Sequence, residues 1–296
     1  MRTVSAHHPH VRGTFALAVH EADDAFISTD LAMTGCWEPL ETEVLARLID
    51  AAHAHHRQRR PLVVDGGANI GWYSVVAGLL GADVVAAEPM PANADLLEYN
   101  VDRNGVRDRV TVCRTALGAN DGVAALHLSP TNQGDHRLHL GATTDPAKRK
   151  TIIEVRVTRL DALLHDRDPD VIKLDTQGSE VGALRGLTAA RDEVRISAGT
   201  SLLTEFWPYG LGRCGASASD FLALIEPCIG VTHECFVLLE ASSVLVPADR
   251  ISLRRLSDSP AMSERVRGFV NLALVPLAHS HVLNDLVDHS TPFPFL

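Results

Sequence analysis

Four acidic side chains stand at or near the ends of apolar runs, and one histidine sits in a polar loop between two more. Asp65 closes Leu62-Val63-Val64, Glu88 closes Asp83-Val84-Val85-Ala86-Ala87, and Asp175 closes Val171-Ile172-Lys173-Leu174. Glu205 falls near the end of a run from Ile196 to Phe206, and His136 lies in Asn132-Gln133-Gly134-Asp135-His136-Arg137. In open α/β sheets, ligands and chemistry gather at the carboxyl ends of strands. An imidazole that titrates near neutrality, set among carboxylates, suits the moving of a proton. His136 is therefore the first candidate for a general base, with an exposed loop histidine as the plain alternative. Asp175 and Glu205 are competing bases, or orient the imidazole.

The turn after Asp65 narrows the ligand. Val63-Val64-Asp65-Gly66-Gly67-Ala68-Asn69-Ile70-Gly71-Trp72 reads as a buried strand, a glycine turn and a helix start. Glycines let backbone approach a ligand, and a helix N-terminus offers free N–H groups and a positive dipole end. The spacing Asp-x-Gly-x-x-x-Gly is not the Gly-x-Gly-x-x-Gly of a pyrophosphate turn, because Ala68 and Asn69 occupy the places of its central glycine. Glu88 follows Asp65 by 23 residues, where a strand-end carboxylate accepts hydrogen bonds from ribose hydroxyls. A nucleoside without phosphates fits both features, and S-adenosylmethionine is the candidate. Asp65 orients the turn or the ligand's ammonium group, or else caps the following helix. Glu180 suits the first turn of a helix capped by Ser179, and Lys173 suits a structural ion pair.

The strands and helices that must carry these residues alternate. A helix from Glu41 to about His55 precedes the strand Leu62–Asp65, with Val44, Leu45, Leu48, Ile49 and Ala52 at helical spacing. Helices follow at Trp72–Leu80 and Pro91–Asn104, and strands at Asp83–Glu88, Val110–Cys113 and Val171–Asp175. Such alternation implies right-handed crossovers and a parallel sheet. Val123–Leu128 and Ile152–Val157 read as an inserted β-hairpin. Glu234–Leu239 and Val266–Val275 read as an antiparallel edge, Asp220–Ile225 as part of a helix, and residues 1–20 as irregular or edge β. The expected division is an N-terminal extension and lid helix over 1–60, packed on a core domain over 61–296.

Composition bounds the partners. The 296 residues carry 27 basic and 37 acidic side chains, a net charge of −10, which argues against nucleic acid. Arg254-Arg255 and Arg265-x-Arg267 read as solvated faces, and His53, His55 and His56 as an exposed helix end. No apolar run reaches the roughly 18 residues of a membrane span. Five cysteines without a Cys-x-x-Cys pair suit reduced thiols and a cytoplasmic protein. A homodimer stays open.

Val64-Asp65-Gly66-Gly67-Ala68-Asn69-Ile70-Gly71-Trp72-Tyr73 resembles the first motif of class I S-adenosylmethionine-dependent methyltransferases, and specifically of the FkbM family. Ile172-Lys173-Leu174-Asp175-Thr176-Gln177-Gly178-Ser179-Glu180, with Leu184-Arg185-Gly186, is similar to that family's second signature. Gly35-Cys36-Trp37-Glu38-Pro39 and Thr204-Glu205-Phe206-Trp207-Pro208 also resemble its segments. The resemblance implies a Rossmann-like class I methyltransferase fold: a mostly parallel seven-stranded sheet, its last strand antiparallel, with helices on both faces. It implies that Asp65, Gly67 and Asn69, in the turn closed by Gly71, line the methionine portion of the donor. Glu88 then meets the ribose, and Ala116 and Leu117 approach the adenine. The expected reaction is O-methylation of a small-molecule hydroxyl, a sugar or natural product, by in-line transfer aided by a general base. Methylation at nitrogen or a carboxylate, a non-catalytic donor-binding module and a nicotinamide dehydrogenase are the alternatives. No metal is called for; Mg²⁺ on Asp175, Glu205 and His136 is the competing mechanism.

Overall fold

The computed structural model of the chain describes residues 2–21, 26–129, 134, 136–138, 152–165, 167–187 and 196–293. Strands β1 (Arg2–His7) and β2 (Thr14–Val19) form an antiparallel hairpin, followed by α1 (Ile27–Thr34) and α2 (Pro39–His55). The core begins with β3 (Leu62–Gly66), α3 (Trp72–Leu79), β4 (Asp83–Ala87), α4 (Pro91–Arg103) and β5 (Val110–Cys113). Four strands then depart from the alternation: β6 (Ala116–Leu117), β7 (Gly122–His127), β8 (Arg137–Leu138) and β9 (Ile152–Thr158). After α5 (Leu160–Leu164) come β10 (Val171–Leu174), α6 (Glu180–Arg185), β11 (Ser201–Phe206), α7 (Pro208–Arg213) and α8 (Ala218–Ile225). The chain ends through β12 (His233–Leu239), β13 (Val244–Ala248), α9 (Arg250–Ser257) and β14 (Val270–Pro276).

The main sheet has eight strands in the order β13-β12-β14-β11-β10-β3-β4-β5. The five from β5 to β11 pair in parallel, while β14 lies antiparallel between β11 and β12. Seven of these strands match the expected sheet. The eighth, β13, forms the edge where the sequence reading placed Val266–Val275; that strand begins at Val270 and is interior. Strand β11 likewise begins at Ser201, not Ile196. The central strands carry apolar residues toward both faces, as a sheet covered on both sides requires. Val63, Val84, Leu203 and Ala273 pack with residues of α2, α3 and α4 on one face. Val64, Ile172, Leu202 and Leu272 pack with residues of α5, α6, α8 and α9 on the other.

The inserted hairpin is present as the antiparallel pair β7 and β9, within a separate four-stranded sheet of order β6-β9-β7-β8. The N-terminal hairpin is tied to α4 by side-chain amides. Asn100 Oδ1 accepts from Ala18 N–H at 2.6 Å, and Asn104 Oδ1 accepts from Ala16 N–H at 3.1 Å. Its residues Phe15, Leu17 and Val19 share one apolar cluster with α2 and the sheet.

The direction of crossover reverses between β3 and β10: β4 and β5 lie on one side, β11 on the other. Such a reversal leaves a crevice beyond the carboxyl ends of the two strands. Asp175 N–H donates to Gly66 carbonyl at 2.9 Å and brings the two chain segments together there.

Candidate functional site

A cavity of about 840 Å³, counting its open mouth, occupies that crevice. Its floor is Gly67, Ala68 and Asn69; Glu88 and Pro89 flank it, and Thr115, Ala116, Leu117 and Leu126 form one apolar end. Trp37, Tyr73, Lys173, Asp175 and Gln177 line the other end, and His136 and Leu138 line the side that Leu126 borders, since Leu138 pairs with Leu126 across β7 and β8.

Which acids reach this cavity follows from strand length. Gly67, Glu88 and Asp175 each stand just past the last residue of β3, β4 and β10, where the chain leaves the sheet. Asp65 and Glu205 are still inside β3 and β11, so their side chains stand on a sheet face and line no part of the cavity. Asp65 is buried and accepts from Ser74 Oγ at 2.5 Å, holding the first turn of α3 from beneath. Glu205 is buried, its Oε2 has no hydrogen-bond partner among the described residues, and burial together with Asp175 and Glu180 pushes its carboxyl well above the ordinary range. Gly71 also lies outside the cavity: it takes φ of 91°, and a Cβ there would stand 2.4 Å from Leu97 of α4.

The turn does not offer its N–H groups to a ligand as the sequence suggests. Gly67 and Ala68 N–H both donate to Ala87 carbonyl at 3.0 Å, and Asn69 N–H donates to Glu88 Oε2 at 2.8 Å. Asn69 has φ of 51°, a left-handed conformation that asparagine tolerates better than most residues, which explains its use where glycine is the default. Glu88 also accepts from Met90 N–H at 2.8 Å. Burial pushes its carboxyl up to about 7 against those two donors.

Lys173 is buried with its Nζ 3.4 Å from Glu41 Oε1 and 3.5 Å from Asp175 Oδ2, over the ring of Tyr73 at 4.7 Å. The structural ion pair thus exists, but within a larger group. Tyr73 donates to Glu38 Oε2 at 2.6 Å, and Asn271 donates to Glu41 Oε2 at 2.7 Å. Glu38 holds φ of 41°, a strained conformation for a residue that is not glycine. One ammonium cannot neutralise every carboxyl around it. Burial accordingly pushes Glu41 up to about 8 and Glu38 upward. Burial also works against the charge of Lys173, yet Glu41, Asp175 and Glu38 outweigh it and keep the ammonium protonated.

His136 lines the cavity, and its Nδ1 accepts from Ser129 N–H at 3.1 Å. Its neutral ring then carries the proton on Nε2 and presents a donor rather than a base. Asn132, Gln133 and Asp135 of the same loop lie outside the described residues. Asp175 is one-third exposed and accepts from Gln177 Nε2 at 2.7 Å. Glu180 is not a simple first-turn acid: its Oε1 accepts from the backbone N–H of Thr176 and Gly178 and so shapes the loop that carries Gln177. Among the described residues, no three His, Cys, Asp or Glu side chains are grouped to hold a metal ion, Asp175, Glu205 and His136 included. No helix among them is long and apolar enough to cross a membrane.

Residues 65–210 match the methyltransferase FkbM domain. The chain carries a methyltransferase domain of the FkbM family. Methyltransferase sdnD of Sordaria araneosa is 25% identical over 181 residues, which span 51% of this chain and 68% of that protein. An O-methyltransferase from Bacillus cereus, solved with SAH, is 11% identical with a TM-score of 0.40, covering 82% of this chain and 83% of that one. A precorrin-6y C5,15-methyltransferase from Geobacter metallireducens is 9% identical with a TM-score of 0.37, covering 80% and 87%. This FkbM methyltransferase is an α/β protein that uses S-adenosylmethionine. Its cavity suits that donor chemically. The backbone N–H groups of residues 67–69 are spent internally, while the carboxyls of Glu88 and Asp175 on the lining are acceptors of the kind ribose hydroxyls and an ammonium group require.

Proposed function

We propose that the enzyme methylates a hydroxyl on a small molecule, with the donor lying from Leu117 past Glu88 toward Asp175. The observation that carries this reading is the single cavity joining Gly67, Asn69, Glu88, Ala116 and Leu117 to Asp175 and His136. When bound, S-adenosylmethionine supplies an electrophilic methyl group on a cationic sulfur, which becomes neutral as the acceptor loses its proton. Ala116 and Leu117 flank the adenine, Glu88 accepts from the ribose, and Asp175 faces the methionine end.

Asp175 and His136 divide the work on the acceptor. Asp175, oriented by Gln177 and Lys173, accepts the hydroxyl proton, and His136 Nε2–H donates to the same oxygen and fixes its direction. The expected outcome is that Asp175→Asn lowers kcat by roughly 100-fold or more, the range of a positioned general base, while His136→Ala costs about tenfold. Steady-state rates of methyl transfer check this; a His136→Ala loss larger than that of Asp175→Asn would reverse the two roles. The class of acceptor is tested by transfer of labelled methyl to a panel of hydroxyl, amine and carboxylate compounds. Transfer to amines alone would overturn the hydroxyl reading.

Glu88 gives a pH dependence with a definite sign. Its ionised form is the better acceptor for ribose hydroxyls, and its carboxyl titrates at about 7. Affinity for S-adenosylhomocysteine is therefore expected to fall as pH drops through 7, by about tenfold between pH 8 and pH 6. Glu88→Gln should flatten the profile in calorimetry; a flat profile in the unmodified enzyme would remove Glu88 from the ribose.

A further inference from the structure

The cavity end opposite the adenine pocket is built on a group of charges that the steps above use only in part. Glu38 and Glu41 enter it from the start of α2, Asp65 from β3, Tyr73 from α3, Lys173 from β10, Asp175 from the loop after it, and Glu205 from β11. Glu240, from the turn after β12, accepts from the N–H groups of Leu40 and Glu41 and adds its charge to theirs. Among the described residues, Lys173 is the cation that favours the charged forms of Glu38, Glu41, Asp65 and Glu205. Among the described residues, two buried oxygens of this group, Glu41 Oε1 and Glu205 Oε2, have no hydrogen-bond partner, the first being held by the Lys173 ion pair.

We propose that this carboxyl cluster beneath the start of α2 reads the charge on the donor's sulfur. It binds the cationic donor more tightly than the neutral product, and it carries fewer protons with the first than with the second. The inference rests on the donor occupying the cavity described above.

Geometry supplies both parts. Tyr73, Lys173 and Asp175 line the cavity and connect it to the buried acids behind. A positive charge arriving at that end is a second cation for carboxyls that share only one, so a further carboxyl ionises and a proton leaves. The raised values of Glu38 and Glu41, the latter about 8, mean that protons are present to be released near neutrality. When the positive charge is gone, the same group takes a proton back. Tyr73 provides the route: its hydroxyl donates to Glu38 Oε2 at 2.6 Å, so when its oxygen accepts the proton that Asp175 took from the acceptor, its own proton moves to Glu38 and Asp175 is ionised again. Tyr73 ends neutral, Glu38 ends protonated, and the proton count balances.

Calorimetry on the full chain at pH 7 tests this with three named ligands: S-adenosylmethionine, S-adenosylhomocysteine, and sinefungin, whose amine stands where the sulfonium methyl does. Each titration is run in phosphate and in Tris, so that the difference in buffer ionisation heat reports protons released. The expected result is that both cationic ligands bind about tenfold more tightly than S-adenosylhomocysteine and release more protons. Glu38→Gln or Glu41→Gln should shrink that preference by roughly threefold. Should either variant fail to fold, the comparison of the three ligands on the unmodified chain decides. Equal affinities with equal proton release would overturn the inference and leave the donor site standing. Binding of none of the three would overturn the donor site and the inference together.

Discussion

Lys173→Met is expected to destabilise the protein by about 3–5 kcal/mol, the cost of removing one partner from a buried ionic group. Lys173 is 3% exposed and stands within 3.5 Å of two carboxyl oxygens, with Glu38 and Asp65 close enough to act on it. The loss has a pH signature. A carboxyl raised in the folded state binds more protons folded than unfolded, so stability falls as pH rises through the window between the two values. For Glu41 that window runs from its ordinary 4.5 to about 8 with Lys173 present, and it widens upward once the ammonium is gone. Below about pH 8 both proteins lose stability alike, and above it only the variant goes on losing, so the penalty of Lys173→Met should be larger near pH 10 than near pH 6. Urea unfolding of both proteins at those two values checks it; a penalty that is the same at both, or larger at the acid one, would refute the account of a single cation holding several acids. Lys173→Arg keeps the charge and should lose less, although its planar head does not reproduce a compact ammonium over the Tyr73 ring.

What the sequence made legible, and what it did not, follows from how far each feature reaches along the chain. The strand, glycine turn and helix from Leu62 to Leu79 are local, and so are the acids that follow β4 and β10; Glu88 and Asp175 accordingly stand where their runs predict. A strand-end acid is a useful signal only when the strand has ended. Asp65 and Glu205 belong to the last two residues of β3 and β11, and one residue in a strand changes which face a side chain takes, so both turned to the helix-covered face. Strand β13 gives no clear local signal because its apolar run is interrupted by Pro247, which an edge strand tolerates. The insertion of β14 between β11 and β12 depends on pairings distant in sequence, for which no local pattern exists. Glu38 and Glu41 look like ordinary first-turn acids of α2. Only the packing of that helix on the sheet brings them to Lys173. The spent N–H groups of the turn belong to the same class: their acceptor, Ala87 carbonyl, lies on the neighbouring strand.

Gly67→Ala is expected to abolish donor binding, with affinity for S-adenosylhomocysteine reduced at least roughly 100-fold. Two independent constraints act at this position. Its φ is 82°, a conformation that costs any residue with a Cβ, and the added carbon would stand 1.9 Å from the carbonyl oxygen of Asp175. The obstacle is backbone rather than a flexible side chain, so relief requires β3 and the loop after β10 to separate. That movement would carry Asp175 away from Glu88 and break the hydrogen bond from Asp175 N–H to Gly66 carbonyl. The effect on binding should therefore exceed the effect on stability. Gly71→Ala supplies the contrast. It is strained as well, with φ of 91°, but the added carbon meets the Leu97 side chain of α4, outside the cavity. Its damage should appear chiefly as a lower melting temperature, with donor affinity changed by less than about tenfold in the protein that remains folded. Calorimetry and thermal unfolding on the two variants separate these cases. If Gly67→Ala bound S-adenosylhomocysteine as well as Gly71→Ala does, the close approach of the turn to Asp175 would not be what shapes the donor site.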